Sequence, residues 1–230
     1  MINQTASLTW RDTDLGRVPV SDQFDDPYYS LGNGLAETQH VFLAGNGLPD
    51  RFDGNFHIGE LGFGTGLNLL VTWDAWITSG AKGQLRFTSF EAYPMAKPDM
   101  QTALTVFPQV ANLADVLLDT WQPGKGPVAL ADNVTLDVII GDARTTLPAW
   151  HGAADAWFLD GFSPAKNPAL WEPALLDQVA RHTAPLGTAA TYSAAGHVRQ
   201  SLNTAGFDVD RVPGFGRKRH MTVARLRSAK

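Results

Sequence analysis

The sequence contains no cysteine. Disulfide bonds, thiolate metal sites and catalysis by a cysteine nucleophile are therefore excluded. No run of about 18 consecutive apolar residues occurs, so the sequence predicts no membrane-spanning helix. The first residues also lack the basic and then apolar segments of a secretory signal peptide. These absences predict a cytoplasmic protein without membrane contact, and we expect no metal site.

Basic residues are few and unevenly placed. The 230 residues carry 18 Lys and Arg against 23 Asp and Glu, a net charge of −5, whereas proteins that bind nucleic acids usually present a basic surface. The last twenty residues nevertheless contain no acidic residue and seven basic ones: Arg211, Arg217, Lys218, Arg219, Arg225, Arg227 and Lys230. This segment is either a phosphate-binding surface or a solvated basic tail.

The pattern of apolar residues predicts an α/β fold. From Phe56 onward, short apolar segments alternate with segments of helical periodicity, which indicates a mostly parallel sheet with helices on both faces. The last two strand segments, FDVDRVP and HMTVARLR, have only a loop between them. They predict an antiparallel hairpin at one edge of the sheet.

A glycine-rich turn follows the first of these strands and opens a helix. It reads Glu60-Leu61-Gly62-Phe63-Gly64-Thr65-Gly66-Leu67-Asn68. Glycines let the backbone approach a ligand, and the helix start behind them offers unpaired N–H groups. A dinucleotide fingerprint would need a glycine at Leu67, and a P-loop would need a lysine. The spacing, with the acidic Glu60 two residues before the first glycine, is typical of S-adenosylmethionine sites. The alternative is a tight turn that binds nothing.

Three further acidic residues end predicted strands, at the sheet edge where open α/β sheets bind ligands. Glu91 could accept hydrogen bonds from both ribose hydroxyls of a nucleoside, or be a solvated charge. Asp142 could accept one from an adenine amino group, or cap the following helix. Asp160 lies just before Phe162, and amino methyltransferases commonly place an acidic or amide group and an aromatic ring in this loop. Its alternative is an Asx turn.

These features together predict a Rossmann-like class I S-adenosylmethionine-dependent methyltransferase. The expected sheet has seven mostly parallel strands and the antiparallel C-terminal hairpin at its edge. We predict a single domain over residues 1–230, in which residues 1–50 form a small N-terminal extension of hairpin and helix and residues 51–230 form the methyltransferase core.

The chain resembles the methyltransferase domain of the MnmC family, including its stand-alone form MnmD, from about Pro19 to Val223. The segments that carry the likeness are PVSDQFDDPYYSLGNGLAETQHVFLAGN, ELGFGTGLNLL, FTSFEAYP, DAWFLDGFSPAKNPALW and GFGRKRHM. DAWFLDGF-x-PAKNP and GFGRKR are specific to this family, whereas many methyltransferases share the glycine turn. The family often has E-S-G and F-A-P where this chain has E-L-G and F-S-P.

The resemblance implies a tRNA methyltransferase. It implies transfer of a methyl group from S-adenosylmethionine to the aminomethyl nitrogen of 5-aminomethyl-2-thiouridine at the wobble position. The products would be 5-methylaminomethyl-2-thiouridine and S-adenosylhomocysteine. Bifunctional members carry a C-terminal FAD-dependent domain, but this sequence has no second glycine-rich fingerprint, so we expect no FAD. We expect tRNA as the partner, no obligatory protein partner, and a monomer.

The resemblance also implies roles by position. Catalytic roles fall on Asp160 and Phe162. Cofactor binding falls on Glu60, Gly62, Phe63, Gly64, Thr65, Gly66, Asn68, Glu91 and Asp142. Contacts with the substrate RNA fall on Tyr28, Lys166, Asn167, Arg217, Lys218 and Arg219.

Three other functions stay open on the sequence. The negative net charge favours a methyltransferase that acts on a small-molecule or protein amine, and the GFGRKR segment opposes it. A nicotinamide-dependent oxidoreductase is opposed by Leu67 and by the C-terminal hairpin. A non-catalytic nucleotide- or RNA-binding module is opposed by Asp160 and Phe162, because a binding platform needs no such loop.

Overall fold

The N-terminal part of the computed structural model is a small antiparallel sheet followed by an irregular helix. The structure describes residues 5–14, 16–30 and 33–228. The small sheet has the order β1-β2-β3. Its strands are β1 (Leu8–Thr13), β2 (Gly16–Ser21) and β3 (Asp26–Pro27). A hairpin therefore occurs where the sequence predicts one, with a third short strand that sequence reasoning missed.

The helix that follows changes its winding along its length. Helix α1 (Gly34–Thr38) continues as a π-helical turn (Gln39–Leu43) and a 3₁₀ turn (Ala44–Asn46). The Oδ1 atom of Asn33 caps the start by accepting a hydrogen bond from the backbone N–H of Ala36 at 3.0 Å. The π-helical turn buries its apolar side chains in the core, so this segment is packed against the main sheet.

The main sheet has eight strands in the order β10-β11-β9-β8-β4-β5-β7-β6. Its strands are β4 (Phe56–Leu61), β5 (Leu85–Glu91), β6 (Val128–Ala131), β7 (Val134–Ile140), β8 (Ala154–Leu159), β9 (Thr183–Thr191), β10 (Phe207–Pro213) and β11 (His220–Leu226). Strands β4, β5, β7, β8 and β9 are paired in parallel, and β10 and β11 form the predicted antiparallel hairpin. The predicted fold class is confirmed.

The predicted number of seven strands is wrong by one. Strand β6 pairs antiparallel with β7 at the edge opposite the hairpin. It has only four residues, Val-Ala-Leu-Ala, directly after a Gly-Pro pair. Such a short, alanine-rich segment has little strand propensity of its own. It becomes a strand because it pairs with β7.

Helices cover both faces of the sheet. They are α2 (Leu67–Ser79), α3 (Lys97–Leu104), α4 (Ala111–Thr120), α5 (Ala143–Thr146), α6 (Pro173–Arg181) and α7 (Gly196–Ala205). Strand β8 shows how the two cores arise: Ala156 and Phe158 pack on one face, and Trp157 and Leu159 on the other. Within the described parts of the chain, no helix is both long enough and apolar enough to cross a membrane.

The parallel strands bring the candidate residues to one edge of the sheet. Strands β4, β5, β7 and β8 end at Leu61, Glu91, Ile140 and Leu159. Because the carboxyl ends of parallel strands meet at the same edge, the glycine turn and the three strand-end acids converge there.

Candidate active site

A deep cleft of about 1560 Å³ opens at this edge of the sheet. Pockets for single drug-sized ligands usually measure about 300–1,000 Å³, so this cleft has room for two bound groups side by side. Candidate residues that line it are Tyr28, Gly62, Phe63, Gly64, Thr65, Asn68, Glu91, Asp142, Asp160, Phe162, Asn167, Arg217 and Lys218. The candidates Glu60, Gly66, Lys166 and Arg219 do not line it.

The glycine turn packs directly against the loop that follows β8. Gly62, Gly64 and Gly66 all have positive φ, at +89°, +54° and +80°. A Cβ atom on Gly62 would lie 2.5 Å from the carbonyl oxygen of Asp160. Glycine is therefore required at Gly62 both for its backbone conformation and for the space beside Asp160, and Gly62 and Gly64 line the cleft with backbone atoms.

Glu91 holds this turn in place. Its Oε2 accepts hydrogen bonds from the backbone N–H groups of Phe63 at 2.9 Å and Gly64 at 3.0 Å, and its Oε1 accepts one from Tyr93 at 2.7 Å. A carboxylate offers about four acceptor positions. Three are used here, so Glu91 has capacity left for about one further donor, such as one ribose hydroxyl.

Asp142 caps helix α5, which is the alternative that the sequence left open. Its Oδ1 accepts a hydrogen bond from the backbone N–H of Arg144 at 2.9 Å, and the Arg144 guanidinium pairs with Oδ2 at 2.6 Å. These hydrogen bonds from Arg144 lower the pKa of Asp142. The residue also lines the cleft, so its contact with an adenine amino group stays a prediction.

A chain of polar side chains runs from Asp160 into the core. The Nδ2 atom of Asn68 donates to Asp160 Oδ2 at 2.6 Å and to Glu60 Oε1 at 2.9 Å. The Oδ1 atom of Asn68 accepts a hydrogen bond from the Thr38 hydroxyl at 2.9 Å. With both amide hydrogens and the amide oxygen engaged, Asn68 fixes the orientation of the Asp160 carboxyl group.

Burial raises the pKa values of both carboxyl groups in this chain. For Asp160 the pKa rises to about 7; the hydrogen bond from Asn68 opposes the rise, nearby Glu37 adds to it, and nearby Lys218 opposes it. Asp160 is half-buried at the cleft, so at neutral pH its protonated and ionised forms are both populated.

Glu60 is fully buried behind Asn68, and burial raises its pKa well above the ordinary value. Ser89 lies near enough to lower that pKa, yet neither Glu60 Oε2 nor Ser89 Oγ has a hydrogen-bond partner within the described chain. A buried carboxyl oxygen without a hydrogen-bond partner costs free energy. A hydrogen-bond donor next to Oε2 would remove that cost. Glu60 reaches the cleft only through Asn68.

The loop after β8 carries an aromatic cluster. Phe162 stacks on Phe24 with ring centroids 4.8 Å apart, and Tyr28 meets Phe162 edge-on at 5.1 Å. The backbone of the loop is held by the Trp171 indole N–H, which donates to the Phe162 carbonyl at 2.8 Å, and by the Tyr192 hydroxyl, which donates to the Gly161 carbonyl at 2.7 Å.

The N-terminal extension clamps the same loop. Asp26 Oδ2 accepts a hydrogen bond from the backbone N–H of Ser163 at 2.9 Å. Lys166 Nζ pairs with Asp25 Oδ2 at 2.9 Å and donates to the Asp25 carbonyl. Lys166 thus has a partner inside the protein, and its predicted contact with RNA stays a prediction.

Among the cleft residues that the sequence analysis did not single out are Phe24, Glu37, Thr38 and Tyr192. Lys218 Nζ lies 2.8 Å from Glu37 Oε1 and 3.9 Å from the centroid of the Tyr192 ring. Phe24, Glu37 and Thr38 fall inside the family segment at 19–46, but no residue type in it marks them out. Tyr192 directly follows β9, and its position at a strand end was the available signal.

Several arginines lie in or near the loop between β10 and β11. Burial and then the charges of Arg211, Arg219 and Arg199 lower the pKa of His220. Arg217 lines the cleft itself. None of these four arginines makes an ion pair with any residue that the structure describes. The surface beside the cleft is therefore locally basic on a chain of net charge −5.

Comparison with known proteins connects this site to a family. Residues 106–227, just over half of the chain, match the model of a family described as S-adenosyl-L-methionine-dependent methyltransferase. Among curated proteins, the chain is similar to the "tRNA 5-methylaminomethyl-2-thiouridine biosynthesis bifunctional protein MnmC" of Stutzerimonas stutzeri (strain A1501). The identity is 44%, over 98% of this chain and 35% of that protein.

A protein of the same name from Caulobacter sp. (strain K31) is 47% identical over 97% of this chain and 39% of its own length. The chain thus spans less than two-fifths of the length of these two relatives. Among solved structures, MNMC2 from Aquifex aeolicus superposes with a TM-score of 0.80 at 27% identity, over 97% of this chain and 72% of that one.

Proposed function

Because the chain belongs to the family of S-adenosyl-L-methionine-dependent methyltransferases, we propose that it methylates the aminomethyl nitrogen of 5-aminomethyl-2-thiouridine at the wobble position of tRNA. The product would be 5-methylaminomethyl-2-thiouridine, the nucleoside named in the two curated relatives. The observation that carries the proposal is the Asp160 carboxyl group, held by Asn68 at the wall of a cleft that has room for both a cofactor and a nucleoside.

The wall formed by the glycine turn fits the cofactor. Backbone without side chains at Gly62 and Gly64 allows close approach, and Glu91 has acceptor capacity for a ribose hydroxyl. The unpartnered Oε2 of Glu60 lies behind this wall, and we propose that Glu60, through Asn68, fixes the shape of the wall that receives the methionine end of the cofactor. S-adenosylmethionine, when bound, supplies an electrophilic methyl group on a positively charged sulfur and leaves as S-adenosylhomocysteine.

Asp160 acts on the acceptor nitrogen. A primary alkylamine has a pKa of about 10, so it is protonated at neutral pH and lacks the free lone pair that forms the new N–C bond. With a pKa of about 7, Asp160 is available near neutrality to accept an N–H hydrogen bond and to hold the proton that the amine gives up. Fixed by Asn68, it also aims the nitrogen, and orientation supplies much of the rate.

Aromatic side chains on the acceptor side suit a base extruded from an RNA loop. Phe162, Tyr28 and Tyr192 all line the cleft and offer ring surfaces for stacking. Arg217 at the cleft and Arg199, Arg211 and Arg219 beside it form the basic surface that would meet the phosphates next to that base. This local basic surface supports an RNA substrate in spite of the overall negative charge.

The decisive experiment is methyl transfer from labelled S-adenosylmethionine to bulk tRNA prepared from a strain that lacks this activity, followed by mass spectrometry of the nucleosides. We expect a new 5-methylaminomethyl-(2-thio)uridine peak. Asp160→Asn should reduce its rate at least about 100-fold while the cofactor still binds. Asp137→Asn is the matched control, since Asp137 is a half-buried acid on β7 outside the cleft, and it should leave the rate near that of the unaltered protein.

An absence of label in tRNA, with cofactor binding intact, would leave the methyltransferase family assignment standing and refute the tRNA substrate. That outcome would favour the second candidate function, methylation of a small-molecule or protein amine. The net charge of −5 supports this alternative. We also infer that the protein works in the cytoplasm, where a tRNA-modifying enzyme meets its substrate, and that it is a monomer. The boundary at residue 50 stays a prediction.

A further inference from the structure

An ion pair bridges the acceptor side of the cleft. Glu37 lies on α1 in the N-terminal extension, and Lys218 lies in the loop between β10 and β11. Their charged atoms are 2.8 Å apart, and the Lys218 ammonium also lies over the Tyr192 ring at 3.9 Å from its centroid. The Glu37 side chain is only 13% exposed, whereas the Lys218 side chain is 44% exposed, so the pair has its acid in the cleft wall and its lysine at the cleft surface.

Both members of the pair act on Asp160, in opposite directions. Glu37 raises the pKa of Asp160 and Lys218 lowers it. Three further groups face this region from other elements: Asn68 on α2 donates to Asp160, Tyr192 follows β9, and Glu60 lies behind Asn68. Asp26 of the extension adds a negative charge near Tyr192.

On its own loop, Lys218 has Arg217 and Arg219 as neighbours. Among these basic neighbours, Lys218 contacts both Glu37 and the Tyr192 ring in the cleft wall. Its charge also acts on Asp160, the side chain that we assign to the acceptor amine.

We propose that the Glu37–Lys218 pair sets the proton affinity at the acceptor position, and that Lys218 is a positioning residue that offsets the Glu37 carboxylate, which would otherwise favour the protonated amine, rather than a contact for RNA phosphate. The proposal rests on the proposed function, because it concerns the amine that is methylated. A cation next to an amine disfavours the protonated amine, and a nearby carboxylate favours it. While paired, the two charges largely cancel; removing either one exposes the other.

The two members therefore predict opposite shifts. In Lys218→Met, the unpaired Glu37 stabilises the protonated amine, and the pKa of Asp160 is no longer lowered by a nearby cation. The acidic limb of the kcat/KM profile should move to higher pH by about one unit. In Glu37→Gln, the unpaired Lys218 should move it to lower pH by a similar amount. The double variant should return close to the unaltered profile.

The test is the pH dependence of kcat/KM for methyl transfer to tRNA, measured for the unaltered protein, both single variants, the double variant and Lys218→Arg, which keeps the charge. Arg225→Gln is the matched control, since Arg225 is an exposed cation on β11 that does not line the cleft. We expect its midpoint, and that of Lys218→Arg, to stay with the unaltered protein.

The proposal would be overturned if the acidic limbs of the kcat/KM profiles of Lys218→Met and Glu37→Gln had the same midpoint and Lys218→Met alone had a higher KM for tRNA. Lys218 would then be assigned to phosphate contact. If one single variant does not fold, the other still decides, because each predicts a shift of stated sign. A failure of the unaltered protein to methylate tRNA would instead remove the proposed function, and this inference with it.

Discussion

At the scale of single residues, Asp160 combines two conflicting demands. The chemistry that we propose at the acceptor nitrogen needs its carboxylate, while burial raises its pKa from the ordinary 3.8 to about 7. Between pH 3.8 and about 7, Asp160 therefore keeps its proton in the folded protein but releases it in the unfolded chain. Since the folded state binds more protons in that window, the stability it derives from this group falls as pH rises from about 4 to 7.

We therefore expect Asp160→Asn to be more stable than the unaltered protein at pH 8. Three pKa units correspond to about 4 kcal/mol, but water in the cleft screens part of this, and we expect an increase in the free energy of unfolding of roughly 1–2 kcal/mol. The difference should shrink as the pH falls to 5. Urea unfolding at both pH values measures it, and a constant difference would contradict the assigned pKa.

Gly62 is a second residue whose identity is dictated locally. Its φ of +89° and the 2.5 Å approach of a Cβ atom to the Asp160 carbonyl oxygen leave no place for a side chain. We expect Gly62→Ala to destabilise the fold by about 1–3 kcal/mol and to weaken binding of S-adenosylhomocysteine at least about tenfold.

Isothermal titration and thermal unfolding measure these two effects. Gly196→Ala is the control, because nothing lies within 4 Å of a Cβ atom there and its φ is ordinary, so it should be close to neutral. Tight ligand binding by Gly62→Ala would show that the turn does not form the cofactor wall.

At the scale of elements, the loop between β10 and β11 carries two kinds of basic residue. Arg217 and Arg219 make no ion pair among the residues described, whereas Lys218 between them is paired with Glu37. We expect Arg217→Gln combined with Arg219→Gln to weaken tRNA binding. The slope of log affinity against log salt should fall by roughly one for each phosphate that the variant no longer neutralises.

Filter binding at several salt concentrations measures that slope, with Arg225→Gln as the control for a general reduction of positive charge. A slope unchanged in the double variant would mean that both arginines are simply solvated. We expect substitution of Lys218, in contrast, to leave the salt slope nearly unchanged. This difference would separate phosphate contact by the two arginines from the positioning role of Lys218 in the same loop.

Elements differ in how far the sequence reveals them. Strand β8 and helix α2 were predictable, because a buried apolar strand ending in Asp160 and a glycine turn opening a helix are strong local signals. Strand β6 was not predictable, because its strand conformation depends on pairing with β7. Helix α6 begins at Pro173, as a proline in a first turn allows, although the helical pattern starts three residues earlier at Leu170.

At the scale of the whole molecule, the wall that we propose for the cofactor, with Glu60, Gly62 and Asn68, was more predictable than the wall that we propose for the acceptor, with Glu37 and Tyr192. Glu60, Gly62 and Asn68 lie within one short segment, so their spacing reveals them. Glu37 and Tyr192 belong to the site only because distant elements pack together. No sequence motif marks Glu37, and for Tyr192 the only sequence signal is its position directly after β9.

The bridge between Glu37 and Lys218 joins residues that are 181 positions apart. The glycine turn, Glu91 and Asp142 need only the middle of the chain, while the acceptor wall needs an early and a late segment together. During synthesis from the N-terminus, residues 60–142 leave the ribosome well before residue 218. The ion pair that closes the acceptor side of the cleft is therefore incomplete until the loop between the last two strands has packed against the N-terminal extension.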